Sequence, residues 1–457
     1  MASGDQDATE RKLRDYCCCN NREDFVGIRC ERSETGLDVP KIHFPCGFFG
    51  KEWFDLSDDA LRESVFDLFA ALSDPDLQNE AKTRSEITTF AETPRETDFP
   101  IVAYLNVIRN FLDCGYIVEK EILYKRGAHG KVNWSRTIKT TRPLFDEKTD
   151  TPVYLDLVAR KINHSEDSLI TLVHRFCVHD ALTRLGFLFG VEPTEEPSLE
   201  FDYDLFRNAI HAKLANTFID HDLHLLSDLA RIVEYLAEHR TDDGAMPNDF
   251  YFGVDKFAPL WEAMVDRIFG TEDASRYNPR IRFSKAGGSE ENLEDSEEEE
   301  TIDDHGQHRS TLRPDTIMRC DDAVFVLDAK YYKYGLTGNL KHLPGADSVP
   351  KQMVYAEYVE KNKGVAAKHI YNAFVLPYCK AAKRALPGKD VSTGAIPARR
   401  IGYIYGNWKE LDQNEDSYRP YQKIVCILLD MKSVMRNYAR NEKAQKELAQ
   451  MIREGAK

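Results

Sequence analysis

The 457-residue chain has no apolar run that approaches the length of a membrane span, and its first residues lack the apolar stretch of a secretory signal. From these two absences we expect a cytoplasmic protein without a membrane partner. The chain also lacks a Gly-x-x-x-x-Gly-Lys-[Ser/Thr] motif, so any movement driven by a nucleotide would need a partner protein. No internal repeat is visible, which argues against a solenoid.

Paired cysteines are also missing. The ten cysteines are scattered, and none shows the Cys-x-x-Cys spacing of a zinc site. The run at Cys17, Cys18 and Cys19 has no histidine nearby, which disfavours metal binding there. Reduced, mostly buried thiols are the expected state.

Basic residues are absent from one long acidic block. Residues 286–304, "AGGSEENLEDSEEEETIDD", hold ten acids and no Lys or Arg. Without these ten negative charges the net charge of −16 would be −6. A same-sign block of this kind predicts a disordered insertion. The remaining mild acidity neither supports nor excludes a nucleic-acid partner.

The composition and periodicity predict a mixed α/β protein with four regions. These are a loosely ordered segment at 1–35, an α+β region at 36–200, a helical connector at 201–250 and a C-terminal domain at 251–457. Residues 99–115 predict a helix closed by Gly115, and residues 166–190 predict a long helix. Between them, residues 116–143 alternate and contain Gly turns, which predicts strands and a hairpin.

The C-terminal region predicts an ordered series of elements. "DKFAPLWEAMVDRIFG" carries a helical apolar stripe, and "RIRFSK" is a short strand before the acidic block. "LRPDTIMR" and "AVFVLDAKYY" are two strands joined at Cys320-Asp321-Asp322. "VPKQMVYAEYVEK" is a helix, and "YNAFVLPY" is a strand. The predicted order is therefore αβββαβ, with two more strands and a terminal helix after it.

Charged residues stand at the ends of two strands that otherwise suit a core. Side chains alternate along a strand, so Asp328 and Lys330 point to the same side. Asp315 begins the neighbouring antiparallel strand and can lie close to Asp328. Two carboxylates at one point of a sheet suit Mg²⁺. A bound metal and a lysine together could hydrolyse a phosphodiester.

The spacing from Pro314-Asp315 to Asp328-Ala329-Lys330 resembles that of the PD-(D/E)XK nuclease superfamily, whose core is αβββαβ. The resemblance implies that Asp315 and Asp328 bind metal and that Lys330 orients water and stabilises the transition state. Glu262, on the first helix, would be a further ligand. Gln352, on the second helix, would be a positioning group, although Gln352-x-x-Tyr355 departs from the Gln-x-x-x-Tyr spacing of one branch.

The blocks "FPCGFFG", "GKVNWSRTI", "LWEAMVDRIFG" and "KQMVYAEY" narrow this resemblance to the LlaJI family of restriction endonucleases. It implies a DNA-recognition region followed by a Mg²⁺-dependent endonuclease domain, with Mn²⁺ as the expected substitute metal. It also implies duplex DNA as substrate, 5′-phosphate products and a role in anti-phage defence. The partners implied are an McrB-like AAA+ motor GTPase and a cognate cytosine methyltransferase. A homodimer is one arrangement that the sequence leaves open.

Residues 120–142 contain seven basic residues against Glu121 alone, a local net charge of +6. Gly turns and aromatic residues are interleaved with them, a pattern that suits DNA contact. The predicted DNA-binding residues are Lys125, Arg126, Lys131, Trp134, Arg136 and Lys139. The alternative is a basic hairpin that packs on acidic parts of the same chain, with Trp134 in the core.

Each candidate residue alone also has an ordinary explanation. Asp315 could cap a turn, Lys330 could be a solvated strand-end lysine, and Glu262 could lie on a helix surface. The protein could also be a non-catalytic DNA-binding or adaptor subunit of a defence complex, although an intact set of Asp315, Asp328 and Lys330 argues against this. A nuclease for RNA or branched DNA is a third alternative that the sequence leaves open.

Overall fold

The computed structural model describes residues 12–19, 25–30, 39–88, 99–127, 130–165, 167–240, 249–279, 312–382, 386, 388–390, 396–406 and 418–457. They form two compact units. The first joins Met1–Thr97 to Tyr251–Lys457, and the second is Asp98–Phe250. The predicted recognition region, 36–200, therefore contributes to both units, and the predicted connector, 201–250, lies within the second. The acidic block at 286–304 lies outside the described residues.

The N-terminal segment of the first unit consists of three strands and two helices. Helix α1 begins after Ser57, whose side chain accepts a hydrogen bond from the backbone N–H of Ala60. Two of the strands fall within 1–35, so the prediction of a loose segment is wrong for the residues in these strands. Each strand is too short to give a readable alternation of apolar and polar residues in the sequence. The bounds are β1 Cys17–Cys18, β2 Val26–Cys30, β3 Lys41–His43, α1 Asp58–Leu72 and α2 Pro75–Thr88.

The second unit packs four longer helices beside small sheets. The predicted helix closed by Gly115 is confirmed, and the glycine has a φ of 75° that favours this residue type. The long helix predicted at 166–190 is also confirmed. The bounds are α3 Ile101–Cys114, β4 Glu119–Arg126, β5 Lys131–Val132, α4 Trp134–Thr140, β6 Leu144–Phe145, β7 Pro152–Val153, β8 Val158–Ser165, α5 Leu169–Leu185, α6 Tyr203–Leu214 and α7 Asp220–Glu238.

The prediction of a hairpin at 116–143 is wrong. Strands β4 and β5 do not pair with each other, because β8 lies between them in the order β4-β8-β5. After β5 the chain forms helix α4, whose N-terminus is capped when Asn133 Oδ1 accepts a hydrogen bond from the Arg136 backbone N–H. The sequence pattern failed here because β8, which completes the sheet, begins at Val158, well after the end of β5 at Val132.

The C-terminal segment of the first unit is built around a six-stranded sheet in the order β10-β11-β12-β15-β14-β13. Strands β11, β12 and β15 are parallel, and β10 is antiparallel to β11. The helices and strands predicted from residue 257 onward are confirmed, except that the strand at 280–285 lies outside the described residues. The bounds are β9 Phe250–Val254, α8 Ala258–Phe269, β10 Thr316–Cys320, β11 Ala323–Ala329, α9 Tyr334–Thr337, α10 Ser348–Lys363, β12 Ile370–Tyr378, β13 Lys389–Asp390, β14 Ala398–Ile404, β15 Ile424–Asp430, α11 Met431–Arg436 and α12 Glu442–Ala456.

A smaller sheet, in the order β1-β3-β2-β9, joins the two segments of the first unit. Gly27 on β2 and Gly253 on β9 lie against each other at this junction. A Cβ atom at Gly27 would stand 2.2 Å from the Phe252 carbonyl oxygen, so the two backbones approach more closely than a side chain allows. The mixed α/β fold is thus confirmed. Across the described ranges, no helix is long and apolar enough to cross a bilayer.

We expect Gly27→Ala to destabilise the first unit more than Gly402→Ala. Both glycines have positive φ, at 143° and 150°, but a Cβ atom at Gly402 would meet nothing within 4 Å. Gly402→Ala should therefore cost only the backbone strain, about 1–3 kcal/mol. Gly27→Ala should cost this strain and more, because the new Cβ atom would collide with the Phe252 carbonyl oxygen, a backbone atom that cannot move aside as a side chain can. Denaturant unfolding of both variants measures the difference, and equal losses would show that the β2–β9 approach is not close.

Candidate active site at the ends of two antiparallel strands

The pairing of β10 with β11 brings the two predicted carboxylates together. Thr316 lies opposite Leu327, so the next pair at the open end is Asp315 and Asp328. The Asp315 Oδ2 atom accepts a hydrogen bond of 3.0 Å from the backbone N–H of Ala329, the residue after Asp328. The proximity predicted from the short turn is confirmed.

Asp328 is buried at the end of a strand whose seven residues are all buried. Its exposed fraction is 5%. Burial raises the pKa of Asp328 well above its usual range, and the neighbouring Asp315 carboxylate raises this pKa further. Two carboxylates in this position therefore cannot both be charged at low cost unless a cation joins them.

Lys330 supplies one such cation. Its Nζ atom lies 2.8 Å from Asp328 Oδ1. Burial alone would lower the pKa of Lys330, but the charges of Asp328 and Asp315 outweigh burial and raise this pKa. Lys330 is therefore a firmly protonated ammonium at neutral pH. The three residues predicted to form the motif meet at one point in the structure.

Glu262, on helix α8, lies within electrostatic reach of the same point. Burial, followed by the charge of Asp315, raises the pKa of Glu262 to about 7, against the opposing effect of Arg84, Lys330 and Lys351. In the part of the chain that the structure describes, no three His, Cys, Asp or Glu side chains are grouped as a metal site. The arrangement is therefore a close pair, Asp315 and Asp328, with Glu262 as a neighbour.

This donor set fits a magnesium ion. Mg²⁺ usually keeps several waters and takes one or two carboxylates from the protein. The Asp315–Asp328 pair offers hard oxygen donors at one point of the sheet, where Asp328 is buried and Asp315 is partly buried. Asp315 and Asp328 are the residues that could hold the ion.

Gln352 makes a different contact from the one predicted. Its exposed fraction is 1%, and its Nε2 atom donates a 2.7 Å hydrogen bond to the Val326 carbonyl. Asn372 on β12 in turn donates to the Gln352 carbonyl at 3.2 Å. The Gln352 amide thus anchors α10 to β11. Its role as a positioning group in the site stays a prediction.

Arg84 is a buried residue at the site that the sequence did not reveal. It lies on α2, where its Nη1 atom donates to the Asp315 carbonyl at 3.0 Å. Its Nη2 atom donates to Asp266 Oδ2 on α8 at 2.6 Å. The guanidinium therefore bridges the helix of Glu262 to the residue that carries one of the paired carboxylates. No local signal marks Arg84, because Asp315 is 231 positions away.

Tyr331 ties a second part of the N-terminal segment to the site. It follows Lys330, and its hydroxyl accepts a 2.5 Å hydrogen bond from the Cys46 backbone N–H. Its ring packs on Phe257, with 5.3 Å between ring centroids. Cys46 belongs to the block "FPCGFFG", so this block holds the chain just after the paired strands.

The predicted DNA-binding residues lie in the second unit, on β4, β5 and α4. All six are exposed: Lys125, Arg126, Lys131, Trp134, Arg136 and Lys139. The exposed fraction of Trp134 is 56%, so the alternative with Trp134 in the core is wrong. The Arg136 guanidinium lies 3.8 Å from the centroid of the Tyr124 ring. Among the described residues, Lys125, Lys131 and Lys139 have no salt-bridge partner.

Replacing Arg84 by Met should destabilise the first unit by about 3 kcal/mol, because the Asp266 carboxylate loses its guanidinium partner in a partly buried place. Asp266→Asn in the Arg84→Met background should recover part of this loss, and a double-mutant cycle by denaturant unfolding measures the coupling. Arg276→Met is the matched control, since its pair with Asp273 is exposed and should contribute at most about 1 kcal/mol. Equal losses at Arg84 and Arg276 would contradict the bridge.

The sequence of this chain is similar to those of known restriction proteins. The family model described as LlaJI restriction endonuclease matches residues 55–386. The "Type II restriction enzyme BsuMI component YdjA" of Bacillus subtilis (strain 168) is 26% identical over 275 residues, which are 58% of this chain and 55% of that protein. The chain thus spans about half the length of this curated relative.

A solved assembly, the refined half-complex of Thermococcus gammatolerans McrB AAA+ hexamers with bound McrC, is similar at 14% identity and a TM-score of 0.33. That similarity covers 94% of this chain and 83% of the matched chain. At this level it does not define a shared fold. The family model alone covers more than half of the sequence, including the paired strands and the helices around them. The chain belongs to the LlaJI restriction endonuclease family.

Proposed function

We propose that this protein is a Mg²⁺-dependent endonuclease that cuts duplex DNA within a restriction system. The observation that carries the proposal is the buried Asp328 carboxylate beside the partly buried Asp315, with the Lys330 ammonium 2.8 Å from Asp328. In a restriction endonuclease family such a pair can serve catalysis, whereas the stability of the fold does not require it. A buried carboxylate pair costs stability unless it binds a cation.

The surrounding elements support a PD-(D/E)XK core. Helix α8 precedes the antiparallel strands β10 and β11, and helix α10 then leads to the parallel strand β12. These correspond to five of the six elements of αβββαβ. The remaining strand was predicted at 280–285, outside the described residues.

The proposed chemistry divides between the carboxylates and Lys330. Asp315 and Asp328 would hold the magnesium ion, which when bound supplies Lewis acidity at the phosphate and at an adjacent water. Lys330 would orient the attacking water and offset the negative charge that develops on the phosphate oxygens. Water would attack phosphorus and the bond to the 3′-oxygen would break. The attacking water would lose a proton to solvent, and the leaving 3′-oxygen would take up a proton from solvent to become a 3′-hydroxyl. The cut strand would carry a 5′-phosphate.

Glu262 has two proposed roles that its surroundings permit. As a carboxylate it could be a further ligand when positive charge enters the site. Because burial and Asp315 raise its pKa to about 7, it is partly protonated at neutral pH before any cation binds. In either form Glu262 is near Asp315, and it lies on the same face of α8 as Asp266, which accepts a hydrogen bond from Arg84.

The proposed setting is a multi-component defence system. The relative in Bacillus subtilis is named as a component of a restriction enzyme, and this chain covers about half of it. We propose a motor NTPase partner and a cognate methyltransferase for this chain, because its sequence has no P-loop motif of its own. A non-catalytic adaptor is the alternative, and the intact Lys330–Asp328 pair disfavours it.

We expect Asp328→Ala to abolish Mg²⁺-dependent cleavage of duplex DNA, with a loss on the order of 10³-fold or more, while DNA binding persists. The full-length protein is assayed on unmethylated and on cytosine-methylated long duplexes, with the cognate motor present. Binding of Mn²⁺, measured by calorimetry, should be lost in the same variant. The matched control is Asp322→Ala, an exposed carboxylate at the other end of the hairpin. If the Asp328 variant still cuts and binds metal, the proposed site is wrong.

A further prediction concerns the basic surface on β4, β5 and α4. If Lys125 and Lys131 contact phosphates, each Ala variant should weaken binding of every DNA sequence and flatten the salt slope by about one. A residue that reads a base would instead relax preference at one position, for about 1–3 kcal/mol. Lys443→Ala, on α12, is the control. DNA titration at several salt concentrations distinguishes these cases, and variants that bind like the control would make the surface unrelated to DNA.

A further inference from the structure

Lys351 is an exposed lysine in the first turn of α10, next to Gln352 in the block "KQMVYAEY". Tyr355 lies four residues later and so on the same face of the helix. The Lys351 Nζ atom stands 5.8 Å from the centroid of the Tyr355 ring, which is the geometry of a cation–π contact. Among the described residues Lys351 has no ion-pair partner, so its charge is not committed to the fold.

The connection between two parallel strands places Lys351 at the edge of the sheet where Asp328 lies. Strands β11 and β12 are parallel, so α10 must run back against their direction and begin near the end of β11. The hydrogen bond from Gln352 to the Val326 carbonyl fixes this register, since Val326 is two residues before Asp328. Lys351 is the next residue toward the helix start and points to solvent.

The Tyr355 ring connects this lysine to the paired carboxylates. The Tyr355 hydroxyl donates a 2.9 Å hydrogen bond to the Arg313 carbonyl, two residues before Asp315. Burial, then the charges of Asp315 and Asp328, raise the pKa of Tyr355. The charge of Lys351 also acts on Glu262, whose pKa it lowers. The Lys351 ammonium is therefore close enough to the candidate site to interact electrostatically with Glu262.

We propose that Lys351 is a further substrate-contacting residue, whose ammonium, held over the Tyr355 ring, binds a DNA phosphate beside the one cut at Asp315 and Asp328. This inference rests on the proposed nuclease function. Lys330, 2.8 Å from Asp328, is assigned to the phosphate that is cut and to its attacking water, so a neighbouring phosphate needs another cation. A phosphate backbone that approaches three carboxylates needs a second cation at that edge, and Lys351 is exposed there.

Binding by the otherwise unaltered protein in EDTA, without Mg²⁺, tests the contact without any cleavage and keeps the Lys330–Asp328 pair intact. A duplex DNA of mixed sequence is titrated at several salt concentrations with the full-length protein. Adding Lys351→Ala should weaken binding about tenfold at low salt and flatten the salt slope by about one. Lys351→Arg should restore the slope, because it keeps the charge. The matched control, Lys361→Ala, removes an exposed lysine farther along the same helix and should change nothing.

Cleavage gives an independent readout in the otherwise unaltered protein. Lys351→Ala should lower kcat/KM by about 10- to 100-fold, as expected for a charge-assisted hydrogen bond to phosphate. Tyr355→Phe keeps the ring under the ammonium and should retain the salt slope. Unfolding midpoints equal to that of Lys361→Ala would rule out damage to the fold.

The outcomes separate this inference from the function on which it rests. If Lys351→Ala binds DNA with the affinity and slope of Lys361→Ala, the Lys351 contact is overturned. If the unaltered protein binds the duplex but does not cut it with Mg²⁺ and its motor, the proposed nuclease function is overturned, whereas the binding comparison still decides the role of Lys351. Absence of any DNA binding would overturn both.

Discussion

The burial of Asp328 beside Asp315 is the constraint on which the rest of the site depends. A carboxylate near the end of a fully buried strand is costly, and the charge of a second carboxylate beside it raises the cost. Two neighbouring cationic side chains partly offset that cost. Lys330 contacts one carboxylate directly, while Arg84 contacts the backbone of the other. A divalent cation would remove the remaining imbalance, which is why the site suits metal-dependent chemistry.

Much of this pair could be predicted from local sequence. Alternation along "AVFVLDAK" places Asp328 and Lys330 on one side, and a two-residue turn at Asp321-Asp322 sets the register that brings Asp315 near. Sequence patterns that predict strands, helices and turns depend on residues within a few positions of one another. They predicted α8, β10, β11, α10 and β12 because the apolar periods there are strong and the elements follow one another directly.

The features that were missed all depend on distant residues. Arg84 contacts Asp315 across 231 positions, and α2 gives no sign of it. Strand β8 enters between β4 and β5, which turns a predicted hairpin into two edge strands of a three-stranded sheet. The pairing of β2 with β9 likewise joins the first segment to residues after 250.

The discontinuity of the first unit has a consequence for how the protein is made. Arg84 leaves the ribosome long before Asp266 and Asp315, because the whole of Asp98–Phe250 is synthesised in between. At about 5–20 residues per second, that interval is on the order of 10–50 s. During it the buried face of α1, which includes Leu61, Val65 and Leu68, has none of its C-terminal partners. The nascent chain therefore exposes apolar surface that a chaperone could hold, and Arg84 meets Asp266 and Asp315 only after the whole second unit has been synthesised.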